Sequence, residues 1–64
     1  MITNNDYRIL GVNANDDMSV IKAAYRRLAS KYHPDKNKND SQSIKIFIRI
    51  KSAYEQIRNF RENE

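Results

Sequence analysis

Apolar residues fall into three amphipathic stretches along this chain, with polar gaps between them. The second stretch is the clearest. Ile21, Ala24, Tyr25, Leu28 and Tyr32 recur at spacings of three and four, the period of one helix face. At 100° per residue, Lys22, Arg26 and Arg27 fall on the far side, with Lys31 at the flank. Asn15 is placed to cap this helix, and Asp16 and Asp17 would occupy its first turn, against the positive end of the dipole. Pro34 disfavours a helical backbone at His33. The pattern predicts a helix over about 16–32 with a basic outer face.

The flanking stretches are read by the same logic. In "NNDYRILGV" Tyr7 and Leu10 lie three apart, Asp6 suits a helix start, and Gly11 stands where a helix takes its left-handed terminating residue. A helix over about 4–10 follows, too short to hold in water unless it packs on something. In "IKIFIRI" the alternation and the isoleucines tempt a strand assignment. Length decides against it, because Phe47, Ile50, Tyr54 and Ile57 continue a helical stripe with Ile46 and Ala53 beside it. A third helix over about 42–58 is expected, with Ser41 or Ser43 as its cap, followed by a polar tail over 59–64. On that wheel Ile44 and Ile48 point away from the stripe as an exposed apolar pair.

Two long amphipathic helices joined by a polar loop over 33–41 make an antiparallel hairpin with their stripes facing. The short first helix lies across it and adds Tyr7 and Leu10 to the core. The fold class is therefore all-α, and Ile21, Tyr25, Leu28, Phe47, Ile50 and Tyr54 complete the expected core. One glycine and one proline in 64 residues leave few breakers, which agrees with helices.

Composition narrows the function. A chain of this length holds one small domain. Cysteine is absent, which removes disulfides, thiolate zinc sites and cysteine nucleophiles together. No apolar run is long enough for a signal peptide or a bilayer span, so a soluble, cytoplasmic protein is expected. Twelve Lys and Arg against eight Asp and Glu give a net charge of +4, which suggests an acidic partner: nucleic acid, anionic lipid or an acidic protein surface.

The stretch "KYHPDKN" carries the one histidine and the one proline. A single histidine without cysteine does not close a nitrogen or sulfur metal site. His33 and Asp35 resemble an acid–base pair, yet a hairpin tip offers no cleft to exclude water or hold a substrate. No cofactor and no catalysis are expected. A plain helix stop is the default for such a tripeptide.

The surroundings change that. "DYRILGV", then "IKAAYRRLASKYHPDKN", then "FIRIKSAYEQI" closely resembles the J-domain, the DnaJ-type co-chaperone module, over roughly residues 5–58. The resemblance implies a module that docks on ATP-bound heat shock protein 70 chaperones of the DnaK family and stimulates their ATP hydrolysis. It implies docking roles for His33, Pro34 and Asp35 and for the basic surface of Lys22, Arg26 and Arg27. Lys31 and Lys36 flank these as partner-binding charges that add to the long-range field. Basic side chains steer an acidic chaperone surface. A rigid proline fixes its neighbours, and Asp35 offers a carboxylate to a basic group on the partner.

Departures from the family pattern are visible. Asp6 stands where a tyrosine is usual, and "RNFRENE" shows no recognisable fourth helix, which is short or missing. Ile48 replaces a usually charged position, and Ile44 with Ile48 suggests a seam against a further domain of a parent protein or a self-contact. Met1 suggests that the domain opens its protein. Two other readings stay open: a small basic helical nucleic-acid binder, and a J-like scaffold that binds without stimulating. Asp35 and the acidic start of the second helix argue against phosphate, so no nucleic acid and no membrane partner are expected.

Overall fold

The computed structural model describes residues 4–62. Three helices follow in order: α1 (Asn4–Leu10), α2 (Met18–Lys31) and α3 (Ser41–Glu62), and among the described residues there is no strand.

α1 ends as Gly11 predicts. Gly11 has φ +69°, its N–H donates to Arg8 O at 3.0 Å, and the Val12 N–H donates to Tyr7 O at 3.0 Å. This pair of bonds is the Schellman arrangement, which satisfies the last carbonyls of a helix. Val12 then packs against the core cluster that contains Tyr7, so the turn also aims the chain toward α2.

The start of α2 differs from expectation. Asn15 is not its cap, and the helix opens at Met18, after Asp17, whose side chain makes no capping bond. Asp16 is spent elsewhere. Its Oδ2 accepts the Asn13 N–H at 2.9 Å, closing a turn in which the Asp16 N–H donates to Asn13 O. That turn holds residues 13–16 out of the helix. At the other end Tyr32 closes α2 through its N–H to Leu28 O at 3.0 Å, one residue before the position that Pro34 restricts.

α3 is capped by Asp40, not by Ser41 or Ser43. Asp40 Oδ1 accepts the N–H groups of Gln42 and Ser43, and Oδ2 accepts the Ser43 hydroxyl at 2.7 Å. These bonds, that from the Ser43 hydroxyl foremost and then that from the Ser43 N–H, hold the Asp40 carboxyl below its ordinary pKa, and slight burial opposes them. The polar tail expected over 59–64 is helical through Glu62; residues 63–64 lie outside the described residues. No breaker follows Ile57, and Arg61 ties this last turn down, its Nη2 donating to Ala14 O at 2.9 Å.

Contacts along the two long helices run in opposite order. Tyr25 stacks on Tyr54, with ring centroids 4.2 Å apart, while His33 beyond α2 meets Phe47 near the start of α3. The hairpin is therefore antiparallel. At 1.5 Å per residue α3 is ~12 Å longer than α2, and α1 packs mainly on α3. The all-α hairpin with a short helix laid against it is the architecture expected.

The core is one cluster of Tyr7, Leu10, Ile21, Ile50, Ala53 and Ile57. Leu10, Ile21, Ile50 and Ile57 are fully buried, each worth roughly 1.5–3 kcal/mol of gross burial energy. Tyr25, Leu28 and Tyr54 are half-buried and pack against it. Phe47 is the exception: it is half-buried but lies outside that cluster, against the loop. Ile44 is half-buried and Ile48 is 59% exposed, so only one of the two isoleucines is a surface residue.

Candidate docking site at the hairpin tip

His33 opens a tight turn. The Lys36 N–H donates to His33 O at 3.0 Å, and the Asn37 N–H donates to Pro34 O at 3.2 Å. Proline suits the second position of such a turn because its φ is preset. The Asp35 N–H donates to His33 Nδ1 at 3.1 Å, a side-chain bond to the backbone two residues on, as asparagine makes in an Asx-turn. Asp35 Oδ2 stands 3.7 Å from the same nitrogen, and the Asp35 side chain is 85% exposed.

Two residues from outside the tripeptide hold this turn in place. The Asn37 side-chain amide donates to both Lys31 O and His33 O at 3.1 Å each. It joins the last turn of α2 to the loop and satisfies a terminal helix carbonyl. From α3, Phe47 meets the His33 ring edge-on, with centroids 5.6 Å apart and planes at 67°, a favoured aromatic geometry. Sequence reasoning assigned Phe47 to the main core and gave Asn37 no role. The signal for Asn37 was present, since an amide just beyond a helix stop readily finds the open carbonyls.

The basic residues lie where the helix wheel puts them, all exposed on or beside α2. They form two pairs rather than one stripe. Lys22 and Arg26 are one turn apart, and Arg27 and Lys31 are another such pair, ~140° further round at 100° per residue. Arg27 borders a shallow groove with Val20 and Ala23. The Lys31 ammonium lies over the Tyr32 ring, 5.4 Å from its centroid, a cation–π distance. Lys36 Nζ donates to Ser30 Oγ at 3.2 Å, so it folds back on α2. Of the eight residues singled out, His33, Pro34, Asp35 and Lys36 come together in one turn, and Lys31 abuts it. Lys22, Arg26 and Arg27 sit along the helix leading to it.

The concavity beside the turn is lined by Asp35, Lys36, Asn37, Lys38, Asn39 and Asp40, all polar. It suits contact with a charged surface more than enclosure of a small molecule. Among the described residues no group of His, Cys, Asp and Glu is placed to hold a metal ion, and no helix is long and apolar enough to cross a membrane.

Known proteins resemble this chain over most of its length. The sequence profile of the DnaJ domain matches residues 5–63. The chain is 54% identical over 56 residues to a chaperone protein DnaJ of Halothermothrix orenii, covering 86% of this chain and 15% of that protein. It is 48% identical over 52 residues to that of Rhizobium meliloti, covering 81% of this chain and 14% of the relative. It is also 45% identical over 51 residues to chaperone protein dnaJ 39 of Arabidopsis thaliana, covering 80% and 12%. The chain thus spans about one seventh of the length of these relatives. No solved structure matches it. With the profile matched from α1 to the end of α3 and the tip turn within that span, the chain belongs to the DnaJ domain family.

Proposed function

We propose that this domain is a co-chaperone module that docks on a DnaK-type heat shock protein 70 chaperone in its ATP state and stimulates ATP hydrolysis there, supporting protein folding in the cytoplasm. The observation that carries the reading is the tip turn. A restrained His-Pro-Asp presents an 85% exposed carboxylate at Asp35, next to the basic residues of α2.

Each part then has a physical task. Lys22, Arg26, Arg27 and Lys31 raise the encounter rate with an acidic chaperone surface. The preordered turn limits the entropy lost on binding. Asp35 forms a charge-assisted bond to a basic group on the chaperone. Stimulation follows if the domain binds the hydrolysis-competent state more tightly than the others, because a ligand shifts an equilibrium only by its differential affinity. The chemistry belongs to the partner, and the domain is no enzyme. A projecting Asp35 carboxylate also disfavours a nucleic-acid reading, since it would meet phosphate.

Binding tests this. The domain should bind the ATP form of a DnaK-type chaperone more tightly than the ADP form, with affinity falling as salt rises. Replacing Lys22, Arg26 and Arg27 together by Ala should flatten the salt dependence. Equal affinity for both nucleotide states would refute the population-shift mechanism.

A further inference from the structure

Two tasks are open to His33: to contact the partner, or to hold the loop. Geometry separates them, because the two ring nitrogens are not equivalent here. Nδ1 accepts the Asp35 N–H at 3.1 Å, and a nitrogen that accepts carries no proton. The neutral ring therefore holds its proton on Nε2. Phe47 fixes the ring plane from α3, and the His33 carbonyl is held by the Lys36 N–H and by Asn37 Nδ2. Two contacts restrain the ring and two more hold its carbonyl, and what the ring restrains in turn is the backbone of Asp35.

We infer that His33 is a positioning residue: its Nδ1 lone pair holds the Asp35 backbone so that the Asp35 carboxylate faces outward, and only the Nε2–H form of the ring does this. The inference rests on the docking role proposed above, which it deepens by assigning the contact to Asp35 and the geometry to His33. A consequence follows for protonation. A charged imidazole carries a proton on Nδ1 as well and no longer accepts the Asp35 N–H. The Asp35 Oδ2 carboxylate oxygen stands 3.7 Å from that nitrogen and attracts its new proton. The ring then draws in the carboxylate that docking requires.

The groups facing the ring are few. Asp35 lies on the same loop, and α3 presents the uncharged Phe47. The lysines on either side are directed elsewhere: Lys31 lies over Tyr32 and Lys36 bonds Ser30. Asp35 is thus the ion-pair partner of His33 among the described residues.

Two isosteres separate the nitrogens. In His33→Asn the side-chain oxygen takes the place of Nδ1 and accepts the same N–H as an Asx-turn. In His33→Gln the amide reaches the place of Nε2 and the Nδ1 acceptor is lost. The experiment measures binding of the 64-residue chain and these variants, with His33→Ala as baseline, to one DnaK-type chaperone in ATP. It is run at about pH 7.5 and about pH 5.5, bracketing the range in which histidine changes charge. Circular dichroism checks that each variant is folded. Ring-nitrogen NMR of the free domain reports the tautomer.

The expected result is that His33→Asn binds within about threefold of the unaltered chain at the higher pH, while His33→Gln and His33→Ala lose about tenfold or more. The unaltered chain should weaken relative to His33→Asn on acidification, a ratio in which the chaperone's own titration cancels. Any other order overturns the inference: Gln binding as well as or better than Asn, both variants failing together, or a ratio that does not move with pH. If the unaltered chain does not bind at all, the docking reading fails, and NMR alone decides the positioning role. A ring protonated on Nδ1 when neutral, or an Asp35 amide that does not shift as the ring titrates, then overturns it.

Discussion

Replacing Gly11 by alanine isolates one term of the folding energy. The residue sits at φ +69°, a region that costs an L-residue with a Cβ roughly 1–2 kcal/mol. An added Cβ would meet nothing within 4 Å, so no packing clash enters. Alanine also restricts the unfolded chain, which returns about 0.4–1 kcal/mol. The net loss is then roughly 1 kcal/mol, or about 4–8 °C in Tm for a domain of this size. Asparagine tolerates the left-handed region better, so Gly11→Asn should lose less. Urea and thermal unfolding followed by circular dichroism measure both. An unchanged or raised Tm for Gly11→Ala would refute the claim that the turn needs a left-handed residue. A loss above about 3 kcal/mol would contradict the open space around that Cβ, because backbone strain alone does not reach it.

Further consequences concern the loop and its cap. Asn37→Ala removes both side-chain bonds to Lys31 O and His33 O; amide exchange at Lys36 and Asn37 should quicken about fivefold, near 1 kcal/mol of local opening, with little change in Tm. An equal fall in global stability would instead make Asn37 a general fold determinant. For Asp40 the folded-state pKa is lowered, mainly by the Ser43 hydroxyl. Its contribution to stability is fully present above the unfolded-state pKa and is lost as pH falls through the folded value. Asp40→Asn should therefore lower Tm at neutral pH, and the difference from the unaltered chain should close in acid; a constant gap would refute the linkage.

How much of this was legible in the sequence depends on whether a signal is periodic or geometric. The stripe from Ile21 to Tyr32 and its continuation from Phe47 to Ile57 repeat over several turns, so they fixed the hairpin and its all-α class despite the strand-like alternation of "IKIFIRI". Gly11 is a local signal with one physical outcome and was readable too. The caps were not. Asn15, Asp16 and Asp17 compete for one helix start, where Asp16 turns back to the Asn13 N–H and Asp17 makes no capping bond. Asp40, Ser41 and Ser43 compete for another, where Asp40 reaches the N–H groups of Gln42 and Ser43. Phe47 is the instructive case. Its helical period assigned it to the main core, yet in space it faces His33 beyond the end of α2, because the loop folds back onto α3. The end of α3 ran past its expected stop because Arg61 finds Ala14, a contact 47 residues apart in the chain that no local pattern announces.

The measurement that tests the central claim most directly is single-turnover ATP hydrolysis by a DnaK-type chaperone, alone and with this domain, its Asp35→Asn form and its Lys22/Arg26/Arg27→Ala form. The predicted result has three parts. The unaltered domain accelerates hydrolysis. Asp35→Asn stays folded and abolishes the effect. The basic-face variant reaches the same maximum only at higher concentration. An Asp35→Asn domain that stimulates as well as the unaltered one, or no acceleration by any form, would contradict the docking account.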